Sequence, residues 1–176
     1  MKYGIYFAYW EKEWFADYKK YIDKTSELGF DILEISCGAL KNMYTTDEKL
    51  YELKEYAKEK NIILTAGYGP NARENLSSAD PDIQKQAIGF FTETLKKLQK
   101  MEIKLLGGGL YSYWPVDYTK PVDKEADLER SIINMKKISK VAEECDVTLG
   151  MEILNRFEGY LLNTCDEGIN YINAVG

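Results

Sequence analysis

The sequence predicts an α/β fold of about five βα units, arranged as part of an eight-stranded parallel barrel, a partial (β/α)8 architecture. Three observations predict it. Short, near-continuous apolar runs recur along the chain, as buried parallel strands require. Longer polar stretches with apolar residues at helical spacing separate them. No glycine-rich phosphate turn follows the first run, so the main mark of an open nucleotide-binding sheet is missing.

The first strand is expected over 2–7, followed by "GIYFAYWEKEW", which is aromatic and charged where a phosphate loop would be glycine-rich. Strands two to five are expected at "DILEIS" (31–36), "IILTAG" (62–67), "KLLGGG" (104–109) and "TLGMEIL" (148–154). Between them, Leu50, Leu53, Tyr56 and Ala57 share one helical face, as do Phe90, Phe91, Leu95 and Leu98, and then Ile132, Met135, Ile138, Val141 and Ala142. The punctuation agrees: "ELGFD" and "EKN" stand where helices should end, while Asp47 and Asp80-Pro81-Asp82 stand where they should begin. A last helix is expected from Thr164-Cys165-Asp166-Glu167 to Gly176. The "GGG" of 107–109 is followed by "LYSYWPVDYTKP" instead of a helix, so no helix N-terminus is available there to hold phosphate. The barrel is therefore favoured, with residues 1–176 forming the N-terminal portion of a single barrel domain.

Composition narrows the chemistry. The net charge of −6, with lysines interleaved among glutamates, opposes a nucleic-acid partner, whose backbone needs clustered Lys and Arg. The N-terminus lacks the apolar core of a signal peptide, and no run is long and apolar enough to span a membrane, so a cytoplasmic location is expected. Cys37, Cys145 and Cys165 are odd in number and lack metal-type spacing, which argues against a disulfide framework. The chain has no histidine. His-based triads, His-containing zinc sites and imidazole proton shuttles are thereby excluded, leaving carboxylates, Tyr, Lys and Cys for acid–base work.

Ligands of a parallel α/β sheet meet the C-terminal ends of its strands. Those ends carry Tyr6, Tyr9, Trp10 and Trp14 after strand one, Glu34 in strand two, and Tyr68 after strand three; Tyr111, Tyr113 and Trp114 follow strand four. Strand five brings Glu152 and then Glu158. Glu152 lies between Met151 and Ile153 inside an expected strand, so its carboxylate should point into the barrel or at the helix layer. Burial there requires a metal, a cation or a proton, and an ion pair with Arg156 or a lysine is the structural alternative. For Glu34 the favoured reading is structural, a carboxylate held by loop donors. Glu158, in a loop, carries little weight on its own. Tyr111 and Tyr113 are most simply core anchors. Aromatics beside glutamates also suit a polyol, whose C–H faces stack on rings while its hydroxyls need acceptors. The three glycines would let the chain turn closely.

Taken together, "MKYGIYFAYWEKEW", "LGFDILEIS", "LTAGYGP", "GGGLYSYWPVDYTKP" and "GMEILNRFEGYLLNT" resemble, in order and along nearly the whole chain, the ketose 3-epimerases. Those enzymes interconvert D-fructose with D-allulose (psicose) and D-tagatose with D-sorbose. The resemblance implies a xylose-isomerase-like TIM barrel that binds Mn²⁺, Co²⁺ or Mg²⁺ and inverts C3 of a free ketose by glutamate-mediated proton transfer through an ene-diolate. It implies that Glu152 is both metal ligand and one of two proton-transfer glutamates. Glu158 would hold the sugar near O1 and O2, and Tyr6 and Trp114 would line its pocket. Gly109 stands where such enzymes often carry alanine.

The chain also departs from the pattern. The "DTFH" strand, a histidine ligand and the final "MEPF" glutamate are absent, so three of four implied metal ligands and the second catalytic glutamate are missing. The metal site is expected to be incomplete and the chain alone inactive. Five strands cannot close an eight-stranded barrel, so strands one and five should each expose an edge. The expected partners are a ketose, further copies of the chain in a full-length homo-oligomer, and a complementary C-terminal fragment. A non-catalytic sugar-binding or assembly half-barrel is the alternative function. A metal nuclease on a related barrel conflicts with the acidic charge and absent histidines.

Overall fold

The computed structural model describes all 176 residues. Five parallel strands, β1 (Gly4–Tyr6), β2 (Ile32–Ser36), β3 (Ile63–Gly67), β4 (Leu105–Gly108) and β5 (Thr148–Met151), form one sheet in the order β1-β2-β3-β4-β5. Each strand pairs with the next, so the order never reverses. A doubly wound sheet requires such a reversal, whereas a barrel grows by this progression. β1 and β5 are the open edges.

Helices α1 (Tyr18–Glu27), α3 (Asp47–Glu59), α4 (Pro81–Lys100) and α5 (Lys124–Glu144) supply the four crossovers, with a short helix α2 (Gly38–Asn42) ahead of α3 and a last helix α6 (Cys165–Val175) after β5. Their starts have local causes. Thr46, Asp80, Asp123 and Thr164 accept from backbone N–H groups at the heads of α3, α4, α5 and α6, and Pro81 opens α4. Thr164 and Glu167 complete a capping box. Left-handed residues follow the ends, Gly29 at φ 77° after α1 and Asn61 at φ 57° after α3.

Strand alternation separates two faces. Leu33, Ile35, Ala66 and Leu106 are fully buried against the helices, joining Phe91, Leu50 and Leu53 in the core. The other face carries Tyr6, Glu34, Thr65, Gly67 and Gly107, and there Ile63 and Leu105 remain 40% and 38% exposed. This second face would line the inside of a barrel. No helix is long and apolar enough to cross a membrane.

The strands are shorter than their apolar runs suggest. β5 stops at Met151, not at 154, because Gly108 is its last partner in β4 and the chain then turns so that Leu154 N–H donates to the Leu162 carbonyl, 3.1 Å away. β1 stops at Tyr6, where a 3-10 turn over Phe7–Tyr9 begins.

Candidate active site

Glu152 is the first residue after β5, and its position is a correction to the sequence expectation. It is exposed, not buried, and makes no ion pair with Arg156 or any lysine. The cause is the open inner face: a side chain directed there from an edge strand still meets water. Its backbone is well fixed, with N–H donating to Gly108 O at 3.0 Å and its carbonyl accepting from the Tyr111 hydroxyl at 2.9 Å. Tyr111 is buried and serves as the expected core anchor, holding the residue while leaving its carboxylate free.

Tyr6, Glu34 and Thr65 stand level on β1, β2 and β3. Glu34 also departs from expectation, because no loop donor holds it. Its one side-chain partner is the Thr65 hydroxyl at 3.4 Å. Burial raises its pKa, the Thr65 bond partly offsets this, and the charge of Glu152 raises it further. Burial and then Glu34 push the Tyr6 phenol up to about 12. The neighbouring strand makes room for this carboxylate: a Cβ on Gly67 would lie 2.8 Å from Glu34 Oε1.

The glycines behave as their spacing suggests, each for its own reason. Gly108 has φ 127°, and a Cβ there would sit 2.2 Å from the Tyr68 carbonyl oxygen. Gly67, Gly107 and Gly150 lie side by side across β3, β4 and β5, forming a row of bare backbone. A methyl at Gly109 would press on Leu154 Cδ1 at 3.3 Å.

Trp114 N–H donates to Pro70 O at 2.6 Å, and its ring meets Trp14 edge-on at 5.9 Å. The loop after β5 is tied by Asn155, whose Oδ1 accepts from Phe157 N at 2.9 Å and Glu158 N at 3.2 Å, and whose amide donates to the Glu158 carboxylate. Asn163 braces it with bonds to Leu154 O at 2.8 Å and Gly159 O at 2.9 Å.

Tyr6, Trp114, Glu152 and Glu158 come from three different loops and strand ends, yet all line one cavity of about 670 Å³ on the inner face. Glu34, Asn71 and Trp14 line it too. Its walls combine aromatic rings with free carboxylate oxygens, a surface able to stack on C–H faces and accept hydroxyl protons. Cys37 does not join this chemistry: it is fully buried and its thiol pKa is pushed well up by burial. One contributor escaped the sequence reading. Glu74, buried beneath the wall, bonds to nearby Tyr68 and Asn71 and to Lys41, 33 residues away, and no periodic pattern marks it.

A profile describing the xylose isomerase-like TIM barrel matches residues 22–176. The chain belongs to that family. The barrel family also accounts for the sequential strand order and the cavity at the strands' C-terminal ends. Among curated relatives, the chain is 64% identical to the D-psicose 3-epimerase of Enterocloster bolteae over 100% of its own length and 58% of the relative's. It is 43% identical to the D-psicose 3-epimerase of Agrobacterium fabrum over 100% of its own length and 60% of the relative's. A crystal structure of D-psicose 3-epimerase with D-tagatose from Clostridium cellulolyticum superposes with a TM-score of 0.97 at 53% identity, covering 99% of this chain and 60% of that one. The chain thus spans about three fifths of the length of these relatives.

Proposed function

We propose that the chain carries one side of a ketose 3-epimerase site, acting on free ketohexoses of the D-fructose/D-allulose and D-tagatose/D-sorbose pairs. The observation that carries this reading is the convergence of Tyr6, Trp114, Glu152 and Glu158 on one cavity of about 670 Å³. The similarity to D-psicose 3-epimerases supports the substrate class.

In this reading Glu152 is the acid–base residue. Its carboxylate takes the proton from C3, and the electron pair moves through C2 onto the carbonyl oxygen to give an ene-diolate. Return of a proton to the opposite face of C3 completes inversion, and this chain contributes no second group for that step. Glu158, oriented by the Asn155 amide, accepts from the hydroxyl at the O1/O2 end. Tyr6 and Trp114 bound the pocket with ring surface, and water is displaced where they close on the sugar.

A divalent cation such as Mn²⁺, Co²⁺ or Mg²⁺ would supply stabilisation of negative charge on the ene-diolate oxygens. The donor set fits one only in part. Glu152 offers unpaired carboxylate oxygens, but no three acidic or thiol side chains stand close enough together to share a cation, Glu34 and Glu158 of the same cavity included, and hard cations take six or more oxygens. In this reading Glu152 is one ligand of the site, and the other ligands implied by the resemblance lie outside these residues. A complementary C-terminal fragment is the proposed source, in a homo-oligomer when full length. The surface it would cover includes an apolar cleft of about 220 Å³ beside β5, lined by Met135, Leu149, Met151 and Ile172.

The test is epimerisation of D-fructose with Mn²⁺. The isolated 176-residue chain should show negligible turnover, and adding a polypeptide that supplies the missing barrel strands should restore it, except in Glu152→Gln. Full turnover by the isolated chain, lost in Glu152→Gln, would overturn the incomplete-site reading. Because the cavity is formed within this chain, a non-catalytic sugar-binding half-barrel is the second reading. Calorimetric heat with D-fructose or D-allulose, without turnover after complementation, would favour it.

A further inference from the structure

Glu74 is 1% exposed in the loop between β3 and α4, yet it belongs to no strand end and faces no water. A buried carboxylate persists only when its oxygens are well partnered. Three side chains meet that need. Lys41 of α2 donates to Oε1, the Tyr68 hydroxyl donates to Oε2, and Asn71 Nδ2 donates to Oε2 at 2.9 Å. Lys41 also lies 4.2 Å from the centroid of the Phe90 ring, against which Tyr68 packs at 4.9 Å.

Two of these partners are part of the cavity. Tyr68 and Asn71 line it, together with Gly69 and Trp114. The same short segment carries Trp114: the Pro70 carbonyl accepts from Trp114 N–H at 2.6 Å, and Tyr68 N–H donates to Gly107 O at 2.9 Å. We propose that Glu74 is a positioning residue of the cavity, anchoring segment 68–71 from beneath so that this segment and Trp114 present a fixed wall to the ligand.

The hydrogen-bond inventory sets the character of that wall. The Tyr68 hydroxyl is committed to Glu74, and burial pushes its pKa up to about 12, which keeps it a donor. Asn71 is committed at both ends of its amide, since Oδ1 accepts from Arg73 N at 2.9 Å. On this side of the cavity the Tyr68 hydroxyl and the Asn71 amide are thus engaged within the protein and Trp114 supplies ring surface, while Glu152 and Glu158 offer the acceptors. A ligand with one hydroxyl-rich edge and one C–H face is oriented by the difference. The identity of that ligand rests on the ketose reading above, whereas the anchoring does not.

Amide hydrogen exchange on the whole 176-residue chain tests the anchoring, comparing wild type, Glu74→Gln, Tyr68→Phe and the double variant. Either single change should lower protection of the Trp114 amide about tenfold, with β2 and α3 amides unchanged, and the double variant should lose little more. Wild-type protection at Trp114, or two losses that simply add, would overturn the proposal. Tyr68→Phe removes one hydroxyl and keeps the ion pair, so it carries the same expectation should Glu74→Gln not fold. Titration of the same proteins with D-allulose, read by tryptophan fluorescence, gives the ligand arm: affinity should fall about tenfold in Glu74→Gln. Undiminished affinity in that variant counts against positioning. Absence of binding by wild type counts against the ketose reading alone, with the Trp114 exchange result still deciding the role of Glu74.

Discussion

Two adjacent glycines should respond oppositely to the same methyl group. At Gly108 the backbone has φ 127°, a region essentially closed to residues with a side chain, and the new Cβ would lie 2.2 Å from the Tyr68 carbonyl oxygen. Strain of this kind costs about 1–3 kcal/mol. Displacing a fixed carbonyl adds about 1–3 kcal/mol more, as in other overpacked sites. Gly108→Ala should therefore destabilise the chain by about 3 kcal/mol or more, which for a chain of this size lowers the melting temperature by about 6–12 °C. The damage is directed at the site, because Gly108 O accepts from Glu152 N and the neighbouring Gly107 O accepts from Tyr68 N. At Gly107 the nearest atom to an added Cβ is Gly150 O, 4.0 Å away, and its φ is not in the left-handed region. Gly107→Ala should be neutral or stabilising by up to about 1 kcal/mol, since it restricts the unfolded chain. Urea titrations followed by circular dichroism would measure both. A Gly108→Ala loss below about 1 kcal/mol, or equal losses for the pair, would refute the steric reasoning.

Glu34 should make stability pH-dependent. Its folded pKa is raised, chiefly by burial, so the folded state binds its proton more tightly than the unfolded state does. The cost of ionising it is absent below the ordinary carboxylate range and grows as pH rises through the folded pKa. Glu34→Gln should thus stabilise the chain more at pH 7 than at pH 4 in paired urea titrations, and equal effects at both would count against it. Thr164→Ala, which removes the capping box of α6, should cost about 1 kcal/mol in the same assay.

The alternation of strands and helices was legible because both periods are written in the apolar pattern: Leu50, Leu53 and Ala57 are buried as their spacing predicts, and so are Phe91, Leu95 and Leu98. Caps were legible for the same local reason, as at Asp80-Pro81 and Thr164. Strand ends were not. The apolar run at 148–154 continues past Met151 because Ile153 packs on the core and Leu154 lines the cavity from the following loop, a use of apolar residues that periodicity cannot separate from a strand. Helix α2, five residues long, is too short for a spacing signal.

The site was legible in part. Strand-end logic placed Glu34 and Glu152 on the ligand-bearing side, while Tyr6, Trp114 and Glu158 gained their weight from resemblance, and all five line the cavity. The burial of Glu152 was misjudged because exposure depends on what faces an edge strand, which no single segment encodes. Glu74 was out of reach altogether: Lys41 lies 33 residues away in sequence, and only the folded loop brings the pair together.

The bare row of Gly67, Gly107 and Gly150 makes the depth of the inner face an adjustable quantity. An added methyl at Gly107 or Gly150 meets nothing closer than 3.7 Å, whereas one at Gly67 runs into Glu34. Two of the three positions can therefore gain bulk without refolding, raising the floor beneath the ligand while the acidic and aromatic walls stay in place. Single substitutions there set the length of molecule the cavity admits, leaving the carboxylates at the rim unchanged.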